Sequence, residues 1–506
     1  MASSEKILSA VRHNWWLNLI GLLLSFGASV VLVRAMPASI YAEYGAVIAM
    51  IGLTTLVFEA GANSGLTRYL NEAAQQSARG TFYLRMQKRR WLAALACVVA
   101  LIAFGPMYAR TTQFASLAEK PWLFALIAGV VAATLTKLLA HYGLLSLFET
   151  KIALLLQQAF LVGRSIILAA IALAGGGLFA VVTAMLVLAC AEALIVHHRL
   201  WKLIGTERAP ISTEFLNRAQ KFGLLTIFDK TCAMLGSGTV LLLVIAPSHP
   251  ATTIAFLTLA IDLVGKLVSL TVMPMGNLVA PYLSQTSDDA GSQGIAIARV
   301  VKLSSLLYSI SIGAGVLLMP WFIHTIYGGK YDGAILIALV LLVPTAFENW
   351  IRGACSPALL RNGFYRDLVK VNIVQAVVTL SAIALVHRQS AEVVIGVVGG
   401  ARCLVASFNL FQLRRLVSAD TYRIPALGFG IAAGSCALAK LCAASFPLRG
   451  LLLPISSGLI FAAVFYLGLR WLVFRDTDTL RLAHRVAGKR LGLFNRLLPA
   501  APLPSA

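Results

Sequence analysis

Fourteen long apolar runs follow one another along this chain, and no other feature constrains its fold as tightly. They lie near 14–34, 42–61, 91–109, 121–142, 152–174, 176–198, 222–246, 251–273, 299–323, 333–352, 368–387, 390–413, 424–446 and 450–474. A hydrocarbon core of about 30 Å is crossed by about 20 apolar residues rising ~1.5 Å each. Lipid offers backbone amides and carbonyls no hydrogen bonds, so each run must satisfy its own as a helix. The spacing predicts an all-α polytopic membrane protein of about 14 transmembrane helices. Turn chemistry separates several runs, as in Gly175-Gly176-Gly177, Pro247-Ser248-His249-Pro250 and Tyr327-Gly328-Gly329-Lys330.

Composition agrees, with 59% hydrophobic and 12% charged residues, where soluble domains have about 25% charged. The net charge of +22 would suggest nucleic acid were it spread over a soluble surface. Instead the Lys and Arg concentrate in short segments between runs, where they set topology and meet anionic headgroups. Nucleic acid is therefore not the expected partner. With both ends cytoplasmic, the inner side outweighs the outer by roughly five to one in Lys and Arg. Two clusters dominate that side: Arg85, Lys88, Arg89 and Arg90, then Arg475, Arg481, Arg485, Lys489 and Arg490. The first run lacks a small-x-small cleavage site behind it and reads as a retained span. The seven cysteines have no metal-type spacing, and Asp288-Asp289 has no further ligands nearby, so no metal is expected.

The runs also repeat. Displaced by about 213 residues, the first six fall on the seventh to twelfth, and Arg68-Tyr69-Leu70-Asn71-Glu72 falls on Pro281-Tyr282-Leu283-Ser284-Gln285. Both sets start on the same side, giving two parallel six-helix repeats plus two extra helices. The expected division is an N-terminal six-helix lobe (1–205), a C-terminal six-helix lobe (206–415), an accessory helix pair (416–475) and a basic cytoplasmic tail (476–506). In the tail, Leu482, Val486, Leu493 and Leu497 recur at helical spacing among basic residues, the pattern of an amphipathic helix on the inner leaflet.

Charges inside the spans are the candidate functional residues, because an ionisable group at the bilayer centre costs about 2.5–3.5 kcal/mol unless it finds a cavity or partner. Arg164 and Lys137 have no counter-charge within their own helices. Asp229 and Lys230 are neighbours, while Asp262–Lys266 and Glu348–Arg352 are four residues apart on one helix face and can neutralise each other. Glu192, Arg402 and Lys440 also fall within spans, and Arg34 lies near a span end, where a long side chain reaches the interface. Basic groups outnumber acidic ones, which favours an anionic ligand, phosphate above all. The candidate cationic cavity is Arg164, Lys137, Lys230, Lys266, Arg34 and Arg402; the candidate coupling-ion carboxylates are Asp229, Asp262 and Glu348.

The opening hairpin, with Leu32-Val33-Arg34-Ala35 and then Tyr41-Ala42-Glu43-Tyr44-Gly45, resembles that of polysaccharide exporters. Glu59-Ala60-Gly61, Leu66-Thr67-Arg68-Tyr69 and Tyr327-Gly328-Gly329-Lys330-Tyr331-Asp332-Gly333-Ala334 continue the likeness. The chain resembles a Wzx-type lipid-linked oligosaccharide flippase of the multidrug/oligosaccharidyl-lipid/polysaccharide exporter superfamily. The resemblance implies alternating-access flipping of undecaprenyl-diphosphate-linked repeat units across the bacterial inner membrane, for O-antigen or exopolysaccharide synthesis. It implies no cofactor beyond coupling to a proton or sodium gradient, with polysaccharide polymerase and chain-length machinery as protein partners. The first span carries Arg34 as its one basic residue, unlike the densely basic first span of peptidoglycan-precursor flippases. Two alternatives stand beside this reading. One is a drug/cation antiporter of the same superfamily, for which a more acidic cavity is the norm. The other is a polytopic polymerase or ligase; the short outer loops count against an enzyme.

Overall fold

The computed structural model describes residues 2–59, 62–75, 77–147, 149–204, 209–235, 237–284, 290–445, 452–473 and 480. Among these the chain is helical and has no strands. In chain order the helices are α1 (Ala2–Ala35), α2 (Ala38–Val57), α3 (Ala62–Gln75), α4 (Arg79–Arg110), α5 (Ala115–Glu119), α6 (Leu123–Ser146), α7 (Thr150–Leu173), α8 (Leu178–Ile204) and α9 (Thr213–Leu235). There follow α10 (Gly238–Ile245), α11 (Ala251–Ser284), α12 (Ala290–Tyr327), α13 (Ala334–Arg361), α14 (Tyr365–Val386), α15 (Ala391–Leu413), α16 (Arg423–Ser445) and α17 (Leu452–Gly468). The Asp288-Asp289 pair lies outside the described residues, as does the expected amphipathic tail apart from Leu480.

Among the described residues twelve helices are long and apolar enough to cross a membrane, and the pair α9–α10 makes a thirteenth span if its halves count as one. The remaining expected span falls on α1, where Leu19–Ala35 forms a shorter apolar stretch. The expected seventh span, 222–246, is two helices meeting at 59°. Its second half starts afresh because Ser237 is an N-cap, its hydroxyl accepting from the Val240 amide at 3.5 Å.

Two compact units divide the chain. The first is Met1–Ile261 with Gln375–Val394, and the second is Asp262–Val374 with Ile395–Ala506.

In the first unit, α6 packs against α4 and α8, and α1 packs along α7. Small residues permit the close approaches, as membrane helices require where lipid gives no hydrophobic drive to associate. Gly105 of α4 lies over the Phe124 ring of α6, and Gly143 of α6 lies over Leu200 of α8. At one end of this bundle sits α3, in a stretch that carries no apolar run. Leu66, Tyr69, Leu70 and Ala73 recur at helical spacing and are buried against Phe82, Leu139, Leu200 and Phe215. Its opposite face is polar. Arg68 stacks over Phe222 at 4.5 Å, and Arg218 of α9 both pairs with Glu72 and stacks on Phe215 at 5.5 Å. Elsewhere in this unit the buried Glu43 of α2 accepts the Ser116 amide at 2.9 Å and so holds the start of α5.

In the second unit α12 packs against α13, α16 and α17. Gly313 lies over Phe461, and Gly428 faces Leu306 and Ser309. Ser304 and Ser309 are buried on α12 yet satisfied, each donating to the carbonyl four residues back, at 2.6 and 2.7 Å. Trp350 of α13 meets Phe429 of α16 edge to face at 5.3 Å and donates its indole N–H to the Val301 carbonyl at 3.4 Å. α12 ends at Gly328 and Gly329, with φ of 69° and 72°, a region that glycine enters without steric cost. Both amides fold back onto the His324 carbonyl, at 2.9 and 3.2 Å.

Candidate anion site in the first unit

Three helices of the first unit each bring a polar residue to the end of an apolar stripe. On α6 the stripe is Val130, Thr134 and Lys137; on α7 it is Gln157, Phe160, Leu161 and Arg164; on α8 it is Met185, Leu188, Ala189 and Glu192. The intervals of three and four place each set on one helix face. With Ile48, Ile51 and Gly52 of α2 they line a cavity of about 300 Å³.

Two of the six expected cavity cations, Lys137 and Arg164, thus share one space. Lys137 has a counter-charge that its own helix did not offer: its ammonium donates to the Glu192 carboxylate, and both side chains are more than four-fifths buried. No carboxylate pairs with Arg164 among the described residues. His141, one turn beyond Lys137, stands within electrostatic range of Lys137 and Glu192, and the Gln157 side chain is placed to hydrogen-bond its ring. Two basic side chains face one carboxylate, so the cavity carries an excess positive charge. An entering anion would find a free guanidinium and an ammonium shared with a carboxylate.

The other candidates lie in different settings. Lys230 of α9 pairs with Glu59 at 3.4 Å, while the side chain of its neighbour Asp229 lies outside the described residues. Arg34 is exposed on α1, and Lys440 is exposed on α16. In the second unit Lys266 donates to Asp262 at 2.6 Å, the in-helix pairing their spacing suggested. Glu348 accepts from Arg352 at 2.9 Å, also in-helix, and from Arg402 of α15 as well. Among the described residues no group of three or more His, Cys, Asp or Glu side chains could hold a metal ion.

Arg90, grouped by sequence with the solvated cytoplasmic cations, is 1% exposed. Its guanidinium donates to the Asn63 carboxamide and to the Phe58 carbonyl at 3.5 Å, with Glu59 in electrostatic range. The signal was present in the spacing, because Arg90 falls on the buried stripe Tyr83, Met86, Ala94 and Cys97 of α4. Nearby, Tyr83 meets His197 Nδ1 at 3.1 Å, and Trp201 donates to the other ring nitrogen, closing a polar cluster inside the bundle.

No family model and no curated protein matches the sequence. Solved structures do. The lipid II flippase MurJ, in an inward closed conformation, is similar with a TM-score of 0.70 at 12% identity, over 90% of this chain and 98% of that one. A multidrug resistance MATE family transporter of the MOP superfamily, inward-facing, is similar with a TM-score of 0.59 at 16% identity, over 78% of this chain and 94% of that one. MATE in the straight conformation follows with a TM-score of 0.53 at 14% identity, over 80% and 95%. At such identities the likeness is one of fold. This chain is an all-helical, multi-pass membrane protein with the fold shared by the lipid II flippase and the MATE transporters.

Proposed function

We propose that this protein flips a polyprenyl-diphosphate-linked oligosaccharide, undecaprenyl diphosphate being the carrier, across the bacterial inner membrane by alternating access. The observation that carries the reading is the cationic cavity of the first unit, with Arg164 beside Lys137 and paired with no carboxylate among the described residues, in a fold shared with a lipid II flippase. Arginine and lysine are suited to a diphosphate, and a guanidinium can take two of its oxygens at once. At about 300 Å³ the cavity is at the small end for a ligand pocket. It therefore suits the phosphates rather than a whole repeat unit, while the polyprenyl chain stays in lipid. The basic clusters support cytoplasmic termini, and the resemblance together with the helical spans supports the inner-membrane location. Polysaccharide polymerase and chain-length machinery would act on the delivered unit. Transport would draw on a proton or sodium gradient, and no covalent chemistry is part of the proposal. Asp262 and Glu348 could serve such coupling only if their ion pairs opened, since both carboxylates are engaged by cations.

Drug/cation antiport is the second reading, favoured by the MATE likeness and by the carboxylate of Glu192 within the cavity. Proteoliposomes separate the two. Protein-dependent appearance of a lipid-linked glycan in the opposite leaflet, with no gradient-driven movement of cationic dyes, supports the flippase. Dye movement without glycan movement supports the antiporter and overturns the proposal.

A further inference from the structure

The cavity of the first unit holds an anion of its own, Glu192, set against one of its two basic side chains. Glu192 and Lys137 come from different helices, α8 and α6, so their ion pair is made by packing and not by helix spacing. The carboxylate therefore occupies the ammonium that an incoming anion needs. Arg164 on α7 lines the same space and is not claimed by any described carboxylate. Of the titratable groups around Glu192, α6 supplies Lys137 and His141, α7 supplies Arg164, and the α2 lining residues Ile48, Ile51 and Gly52 supply none.

We propose that Glu192 is the resident counter-ion of the anion site and its proton carrier. This rests on the cavity being an anion site. A phosphate oxygen takes the place of the Glu192 carboxylate on the Lys137 ammonium while Arg164 holds the same group. Beside that negative charge, in a partly dehydrated space, the freed carboxylate binds a proton from water and becomes a carboxylic acid. The two cations and one carboxylate leave the site at +1, a doubly charged diphosphate takes it to −1, and one proton on Glu192 restores neutrality. One proton is therefore taken up for each diphosphate bound, no other bond is made or broken, and the proton is released when the ligand leaves. Ligand binding and proton binding at this site are thus linked with positive sign.

The test uses the purified full chain and a short-chain polyprenyl diphosphosugar, whose two phosphates each keep a single negative charge across the range examined. Affinity is measured between about pH 6 and about pH 8, and calorimetry in buffers of differing ionisation enthalpy counts protons taken up. One linked proton gives wild-type binding that weakens up to about tenfold per pH unit, with uptake approaching one proton. Glu192→Gln, which keeps the shape but not the charge, is expected to bind more tightly at the upper pH and to lose the pH dependence. Wild-type binding that needs Arg164 but takes up no proton would overturn the role of Glu192 and leave the anion site standing. Failure of the probe to bind either form would overturn both. The wild-type proton count requires no variant, so a misfolded Glu192→Gln does not shield the idea.

Discussion

Glu348 is the single charge whose removal should cost the second unit most. Its carboxylate is 4% exposed and accepts from Arg352 Nε at 2.9 Å and from Arg402 Nη2, whose side chain is 12% exposed. Arg352, at 28% exposed, can turn towards water or headgroups when the carboxylate is lost. Arg402 cannot, and burial leaves its charge uncompensated. Breaking a buried ion pair by removing one partner typically costs about 3–5 kcal/mol. With Arg352 partly relieved by solvent, we expect about 3 kcal/mol for Glu348→Ala. Glu348→Gln retains an acceptor oxygen and loses only the charge assistance, so about 1.5–2 kcal/mol is expected. The assay is reversible unfolding in mixed micelles followed by tryptophan fluorescence, with a double-mutant cycle to Arg402→Ala. A coupling of about 2–3 kcal/mol is expected. Losses under about 0.5 kcal/mol that add independently would show that the three charges contribute no net stability, and the reasoning would fail.

Other perturbations test other parts of the structure. Arg90→Ala removes a fully buried guanidinium from Asn63 and the Phe58 carbonyl and opens a void beneath α3; about 3–5 kcal/mol of lost stability is expected by the same assay, and an unchanged transition would refute the buried network. Gly105→Ala forces a methyl into the Phe124 ring, with an expected cost of about 1–3 kcal/mol. Phe124→Leu in the same chain should recover part of that loss, and its failure to do so would remove the proposed α4–α6 contact. Gly329 has open space around it and φ of 72°, so Gly329→Val is expected to cost about 1–2 kcal/mol through backbone strain alone, and Gly329→Asn clearly less. Equal thermal shifts for Val and Asn would contradict a left-handed turn at that residue.

Most of the fold could be read from the sequence because the membrane makes the rule simple: a run long enough to cross lipid must be a helix. α6 and α8 were visible for that reason. α3 was not, because only half its surface is apolar and its polar face, with Arg68 and Glu72, reads as loop. The break between α9 and α10 was hidden inside a continuous apolar run, where a lone serine cap carries little weight against hydropathy. At the site, Arg164 and Lys137 announced themselves by the cost of burying an unpaired cation. Their shared cavity did not, since nothing along the chain states that α6 and α7 face each other. The pairs Asp262–Lys266 and Glu348–Arg352 were legible because one helix fixes both partners. Glu192 with Lys137, and Arg402 with Glu348, join residues more than fifty positions apart and depend on packing that spacing cannot encode.

On the proposed function, the first-unit cavity binds the diphosphate of a lipid-linked glycan during its passage across the bilayer. Initial rates of glycan appearance in the outer leaflet of proteoliposomes test it most directly, comparing wild type with Arg164→Ala at equal amounts of folded, membrane-inserted protein. Losing a charge-assisted contact of about 1.5–3 kcal/mol should slow the rate by at least about tenfold. Wild-type flipping that continues undiminished in Arg164→Ala would contradict the claim.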